Sequence, residues 1–503
     1  MNARVHTGLG GVFSSAGVGL LSMISGVVLL PVVVSFVGAA PYGVWLVLSA
    51  IAMYFQYADM GVGSAVVHFA SRRRGNGDGH TLGQLISGAM LWNAAAALVV
   101  LPLFLVIGML YAFAQERVGL ISHSEAILLA VLGVASLASI LLRPFTSALI
   151  GAGLLPIDRR NQAVAVAVRF IGTIVVCIWL PNVVFVAMVE ATALTLPSVL
   201  GMCSVLARRL AAVRWDRSAL QAARTMLAYS TRSFGVASVG ALILQSGTVV
   251  AGTILGPSAA TAYTAAFRIY SMARQILSWT IEPFRSVLSR QFAKDDEHGR
   301  GSMIMICFFS FGTAVAACGT VAIGAVGLIN VWLGSTLSSD SIALSTTILV
   351  AGLAINSLQI PLAIAGDARG RPGAFFWIQV LWLVLCLPSS IWLAGEMGIA
   401  GIAVALTAPL LLVVPLYLWR ARTVVTLDLR TWFHKVFVPV ASIGLVALVI
   451  AIGALLALET IVSAEIASLV AAGLYALVFF IIVAISRRRI DLSGLGALLK
   501  VGL

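Results

Sequence analysis

Charge is what this chain most lacks. Only 10% of its 503 residues are Asp, Glu, Lys or Arg, where an ordinary soluble domain carries about 25%. So few charges cannot coat the surface of a soluble protein of this length. Apolar runs of about 20 residues, enough to cross a bilayer, recur from Leu20 to Ile485. The chain is therefore a polytopic membrane protein. The first run follows Arg4 and is too long for the apolar core of a signal peptide, so it is expected to be an uncleaved first helix.

Metal and nucleotide motifs are missing too. There is no HExxH or CxxC, and the six histidines are scattered. Cys177, Cys203, Cys307, Cys318 and Cys386 all lie inside apolar runs and are expected to be packing thiols rather than disulfides or metal ligands. Without a GxxxxGK[ST] loop, ATP use is not indicated. No metal site and no cofactor are expected.

The hydropathy pattern predicts an all-α fold of about 14 spans, near 11–36, 42–68, 84–112, 125–147, 163–180, 182–206, 233–255, 262–289, 303–332, 342–365, 374–394, 397–419, 436–457 and 465–486. Between them, basic and nearly neutral connections alternate. Counting the N-terminal Arg4, the basic set holds about 25 Lys and Arg, and the other set only Arg117. That asymmetry places both termini and the basic loops in the cytoplasm. The basic residues are spread over six loops and the two terminal segments, so nucleic-acid binding is unsupported, and weak attraction to anionic lipid is expected. No connection on the opposite side exceeds about a dozen residues, which leaves little room for a loop-borne active site. An enzyme is not expected.

Two segments read alike. FVGAAPYGVWLVLSAIAMYFQYADMGVGSAVVHFASRRRGNGD (36–78) and ILGPSAATAYTAAFRIYSMARQILSWTIEPFRSVLSRQFAKDD (254–296) share a glycine turn, a tyrosine, a long span, then Ser-Arg and a polar loop. RPFTSALIGAGLLPIDRR (143–160) and QIPLAIAGDARGRPG (359–373) form a weaker pair. Spans 1–6 then repeat as spans 7–12 in the same orientation, giving two six-helix lobes plus two further C-terminal helices. Such parallel repeats meet around a cavity on an axis along the membrane normal, as in transporters that rock one lobe against the other. The expected domains are 1–210 (N-lobe), 211–232 (an amphipathic cytoplasmic linker), 233–420 (C-lobe), 421–487 (the last two spans) and 488–503 (a cytoplasmic tail).

The ionisable residues inside spans are Asp59, Arg143, Arg169, Glu190, Arg268, Arg274, Glu282 and Arg285. Each costs several kcal/mol if it faces lipid, so each must face protein or water. At about 100° per residue, Arg268, Arg274, Glu282 and Arg285 of span 8 share an arc of roughly 120°. One account is a Glu282–Arg285 bridge with Arg285 reaching to the cytoplasmic edge. That does not explain Arg268 or Arg274, for which a water-filled cationic cavity is the favoured account. Arginine suits a phosphate through its permanently charged, bidentate fork. Asp59 is expected to pair with an arginine of span 8 or to titrate. Arg143, Arg169 and Glu190 are expected to bridge within the N-lobe. Pro31 and Pro283 are expected to kink their helices.

YGVWLVLSAIAMYFQYADMGVGSAVVHFASR in span 2 and LGPSAATAYTAAFRIYSMARQILSWTIEPFRSVLSRQFAKDD in span 8 resemble the Wzx-type polysaccharide flippases of the multidrug/oligosaccharidyl-lipid/polysaccharide exporter superfamily. The resemblance implies a bacterial inner-membrane protein whose spans 1, 2, 7 and 8 line a central cationic cavity. Arg268, Arg274 and Arg285 would hold the pyrophosphate of an undecaprenyl-linked oligosaccharide destined for a surface polysaccharide such as O-antigen. It also implies drive by an H+ or Na+ gradient, and polysaccharide polymerases or glycosyltransferases as partners. This chain departs from the pattern in span 7, where Gln245, Ser246 and Thr248 stand in a region that carries an acidic residue in many relatives. Asp59 and Glu282 are the remaining coupling candidates, and Gln245, Ser246 and Thr248 become polar lining. The alternatives are a peptidoglycan lipid II flippase and a multidrug or cation exporter, the latter expected to carry acidic residues in its cavity. A membrane glycosyltransferase or polymerase would need catalytic carboxylates on a larger outer loop.

Overall fold

The structure is a computed structural model that describes residues 2–76, 81–213, 215–281, 284, 288, 291–292, 296–334, 337, 339–371 and 373–486. Among these the regular structure is entirely helical. The chain divides into two compact units, Met1–Thr261 and Ala262–Leu503.

Unit 1 holds α1 (Asn2–Val37), α2 (Ala39–Gln56), α3 (Val62–Asn76), α4 (Leu82–Arg117), α5 (His123–Gly151), α6 (Leu155–Trp179), α7 (Val183–Ala207) and α8 (Arg217–Val250). A π-helical turn, Ala251–Leu255, leads into α9 (Pro257–Ile281), whose first residues belong to this unit. Polar caps mark where helices begin. Thr81 and Gln84 exchange side-chain and backbone bonds at the start of α4, and Ser122 with Glu125 do the same for α5. Asn182 and Asp216 accept the early N–H groups of α7 and α8. Each cap satisfies donors that the first helical turn leaves without partners. α5 is the central helix, packed by α2, α3, α4, α6 and α7. α8 lies against α2, α3 and α4. Gly88 permits that last contact, because a Cβ there would fall 2.6 Å from the Ala219 carbonyl oxygen.

Unit 2 contains the rest of α9, then α10 (Asp296–Ile323), α11 (Ala325–Leu333), α12 (Ser339–Asn356), α13 (Ile360–Ala368), α14 (Phe376–Thr407), α15 (Leu410–Val424), α16 (Leu429–Trp432), α17 (Val438–Leu458) and α18 (Ala464–Ser486). α10 packs on α12, α13, α17 and α18, and α14 packs on α12. The last two helices join the unit through Tyr475, whose hydroxyl donates to the Val315 carbonyl at 3.0 Å.

Twelve stretches among the described residues are long and apolar enough to cross a membrane, which makes this a multi-pass membrane protein. Twelve is fewer than the fourteen expected. Phe376–Val424 counts as one stretch although Gly398, at φ 60° and ψ −140°, breaks the helix within it. Pro257–Ile281 is not among the twelve, because Arg268, Arg274, two tyrosines and a run of hydroxyls dilute its apolar residues. The uninterrupted second span expected over 42–68 is also corrected. A 3-10 turn at Tyr57–Asp59, Met60 at φ 48° and Gly61 at φ 74° separate α2 from α3. Such a turn needs residues that tolerate positive φ, and glycine does so without strain. Residues 217–250 form one continuous helix, so most of the expected linker and most of the seventh span belong to a single element. α1 runs through Pro31 without a break. Pro283 lies outside the described residues. Of the five thiols, four are buried and Cys203 is exposed; all are free.

Candidate functional site

α9 is amphipathic. Tyr270, Ala273 and Leu277 are buried on one side. Ser271, Arg274, Gln275 and Ser278, spaced three and four apart, form an exposed polar stripe, and Arg268 is half-buried one turn before it. Ile276 is the one large apolar side chain exposed beside them. The Ser271 and Ser278 hydroxyls donate to the Arg268 and Arg274 carbonyls at 2.8 and 2.9 Å, which removes two donors from the stripe and leaves the guanidinium of Arg274 its dominant polar group. Glu282 and Arg285, predicted to extend this stripe, lie outside the described residues.

In unit 1, Asp59 is buried and pairs with Arg143 of α5, Nη1 to Oδ2 at 3.3 Å. Arg143 Nη1 also donates to the Gln56 carbonyl at 3.3 Å, and Asp59 Oδ1 accepts from the Gly61 N–H at 3.0 Å. The pair therefore closes both sides of the break between α2 and α3. Arg143 completes the C-terminal end of α2, where a cation is favoured, and Asp59 completes the N-terminal end of α3, where an anion is favoured. The partner that Asp59 takes here is an arginine of the fourth predicted span, not one of the eighth as the sequence suggested.

Arg169 and Glu190 do bridge α6 and α7, with Nη2 to Oε1 at 2.9 Å. The same carboxylate accepts from Trp45 Nε1 at 2.6 Å and from the Tyr42 hydroxyl at 3.3 Å. Its charge is buried but multiply hydrogen-bonded, as a charge in an apolar interior must be. Trp45 and Tyr42 are members of this network that the charge pattern alone does not reveal.

Gln245, Ser246 and Thr248 sit on α8. Ser246 and Thr248 are buried, and the Ser246 hydroxyl donates to the Ile243 carbonyl at 2.8 Å. Gln245 is half-buried and donates to Met53 Sδ at 3.1 Å. Only Gln245 of the three presents a side chain toward a surface. No cluster of His, Cys, Asp and Glu suited to a metal occurs among the described residues.

The sequence matches the family model described as polysaccharide biosynthesis protein over residues 9–282, more than half of the chain. The chain belongs to the polysaccharide biosynthesis protein family. Among curated proteins none matches it. Its fold is that of several solved transporters. A lipid II flippase MurJ in an inward closed conformation superposes with a TM-score of 0.69 at 14% identity, over 95% of this chain and 99% of that one. A multidrug resistance MATE family transporter of the MOP superfamily, inward-facing, gives 0.62 at 12% identity over 80% and 94%. The Vibrio cholerae MATE transporter VcmN in its bent form gives 0.54 at 17% identity over 84% and 97%. At these identities the likeness is one of fold.

Proposed function

We propose that this family member is a flippase that carries an undecaprenyl-pyrophosphate-linked oligosaccharide from the inner to the outer leaflet of the bacterial cytoplasmic membrane by alternating access. The observation that carries the reading is the exposed stripe of α9, with Arg274 at its centre and Arg268 a helical step before it. A guanidinium in a membrane helix is costly against lipid, so this face meets water or an anionic ligand. Cationic side chains favour a phosphate head group and repel the cations that a drug exporter would carry. Arg285 extends the proposed anion-binding set, and Gln245, Ser246 and Thr248 are the proposed polar lining. An H+ or Na+ gradient is the proposed drive, with Asp59 and Glu282 as its candidate carboxylates, and the termini are proposed to be cytoplasmic. Polysaccharide polymerases and glycosyltransferases are the proposed partners.

The test is translocation of a fluorescent undecaprenyl-pyrophosphate oligosaccharide in proteoliposomes by wild type, Arg274→Lys and Arg274→Ala. Loss of flipping in both, greater for Ala, with insertion intact, supports a head-group ligand. Unimpaired flipping in both overturns it. Lipid II in the same assay separates a peptidoglycan carrier from a surface-polysaccharide carrier.

A further inference from the structure

Arg143 has a free edge. Both of its hydrogen bonds, to Asp59 Oδ2 and to the Gln56 carbonyl, leave from the same nitrogen, Nη1. Among the described residues Nε and Nη2 bond to nothing. The side chain is 43% exposed, whereas that of Asp59 is 8% exposed. α5 packs against five helices, and a guanidinium is costly against lipid, so the exposed part of Arg143 is not expected to face the acyl chains. A guanidinium that opens from such a helix in the middle of an apolar bundle opens onto water.

The Nε–Nη2 edge carries two parallel N–H groups, the geometry that grips two oxygens of a phosphate. Tethering Nη1 at two points fixes the plane of the fork before any ligand arrives, which lowers the ordering cost of binding. The tether also has a rigid base. Asp59 is itself held by the Gly61 N–H. α3 approaches closely enough that a Cβ on Gly63 would stand 3.0 Å from Ser147 Oγ and 3.6 Å from Asp59 Oδ2.

We infer that Arg143 is a second phosphate-binding position of this protein, located in unit 1 and oriented by Asp59, taking two oxyanion oxygens of the cargo head group on its Nε–Nη2 edge. This rests on the proposed function above, since it assumes a phosphorylated cargo. It assigns Asp59 a positioning role toward Arg143, whatever part it plays in ion coupling.

The test uses the full chain in phosphatidylcholine nanodiscs, with inorganic pyrophosphate as probe. Arginines are modified with phenylglyoxal and located by mass spectrometry, so wild type alone gives the primary answer. The expected result is that Arg143 is modified and that pyrophosphate slows this severalfold. Arg143→Lys, which keeps the charge but not the fork, is expected to weaken pyrophosphate binding by about tenfold or more. Protection of Arg274 but not Arg143 overturns this inference and leaves the proposed function standing. Absence of pyrophosphate binding altogether overturns the proposed function. Protection of Arg143 by phosphatidylglycerol in the nanodisc, with none added by pyrophosphate, assigns the edge to a bilayer lipid and also overturns the inference.

Discussion

Gly43 of α2 and Pro257, the first residue of α9, touch backbone to backbone: a Cβ built on Gly43 would lie 1.9 Å from the Pro257 carbonyl oxygen. Beside them the Thr261 hydroxyl donates to the Ala39 carbonyl at 2.7 Å. The first turns of the two helices that carry the sequence repeat are thus joined, each entered through a glycine at φ 99°, Gly38 and Gly256. The same positive φ at corresponding positions is the local counterpart of the repeat.

Gly43→Ala is accordingly expected to lower stability by about 1–3 kcal/mol, because the obstructing atom is backbone and cannot rotate away. Gly453→Ala in α17 is the control: nothing lies within 4 Å of its added Cβ. There the substitution is expected to be neutral or to stabilise by up to about 1 kcal/mol through helix propensity. Thermal unfolding in detergent compares the two, and equal melting temperatures would refute the close approach.

Glu190→Gln removes the charge that Arg169, Trp45 and Tyr42 converge on. Leaving Arg169 without its counter-ion is expected to destabilise by about 3–5 kcal/mol. Trp45→Phe deletes a single donor and is expected to cost about 1.5–3 kcal/mol, the range for a hydrogen bond to a charged group. The double variant Arg169→Met with Glu190→Leu should recover much of the loss, since no unpaired charge remains. Melting curves of the three variants give the order, and a double variant no better than Glu190→Gln would mean that the network does more than satisfy its own charge.

Gly63→Ala probes the base of the Asp59–Arg143 pair. The added methyl meets Ser147 Oγ at 3.0 Å, a contact that the hydroxyl can relieve only by turning. The expected cost is below about 1.5 kcal/mol, and because the same methyl stands 3.6 Å from Asp59 Oδ2, an ordinary contact, the carboxylate is expected to keep its bond to Arg143. A loss much larger than this in thermal unfolding would show that Ser147 cannot turn away and that the Asp59–Arg143 pair is disturbed.

Much of this was legible in the sequence, and the reasons are particular. The Arg169–Glu190 bridge follows from two opposite charges at matching depth on consecutive spans. The amphipathic face of α9 follows from helical spacing alone. The Asp59–Arg143 pair was accessible by the same route: Asp59 follows the start of α2 by 20 residues and Arg143 follows the start of α5 by 20, and spans two apart start on the same side. Depth matching would have preferred Arg143 to the arginines of α9. The break at residues 57–61 was hidden because Asp59-Met60-Gly61 lies within an apolar run that hydropathy reads as one span. A Met at φ 48° leaves no compositional mark. The aromatic members of the Glu190 network were hidden for a related reason: Tyr42 and Trp45 read as apolar until their polar tips are placed.

Orientation provides the last prediction. Val118 is 72% exposed in the connection between α4 and α5, and Leu220 is 49% exposed near the start of α8. The excess of basic residues predicts that Val118 lies outside and Leu220 on the cytoplasmic side. Four of the five native thiols are buried, so replacing the exposed Cys203 by Ser leaves little reactive background. In that background, Val118→Cys should react with a membrane-impermeant maleimide in intact cells. Leu220→Cys should react only after permeabilisation. The reverse pattern would place the termini outside and would require the proposed cargo to travel in the opposite sense through the same helices.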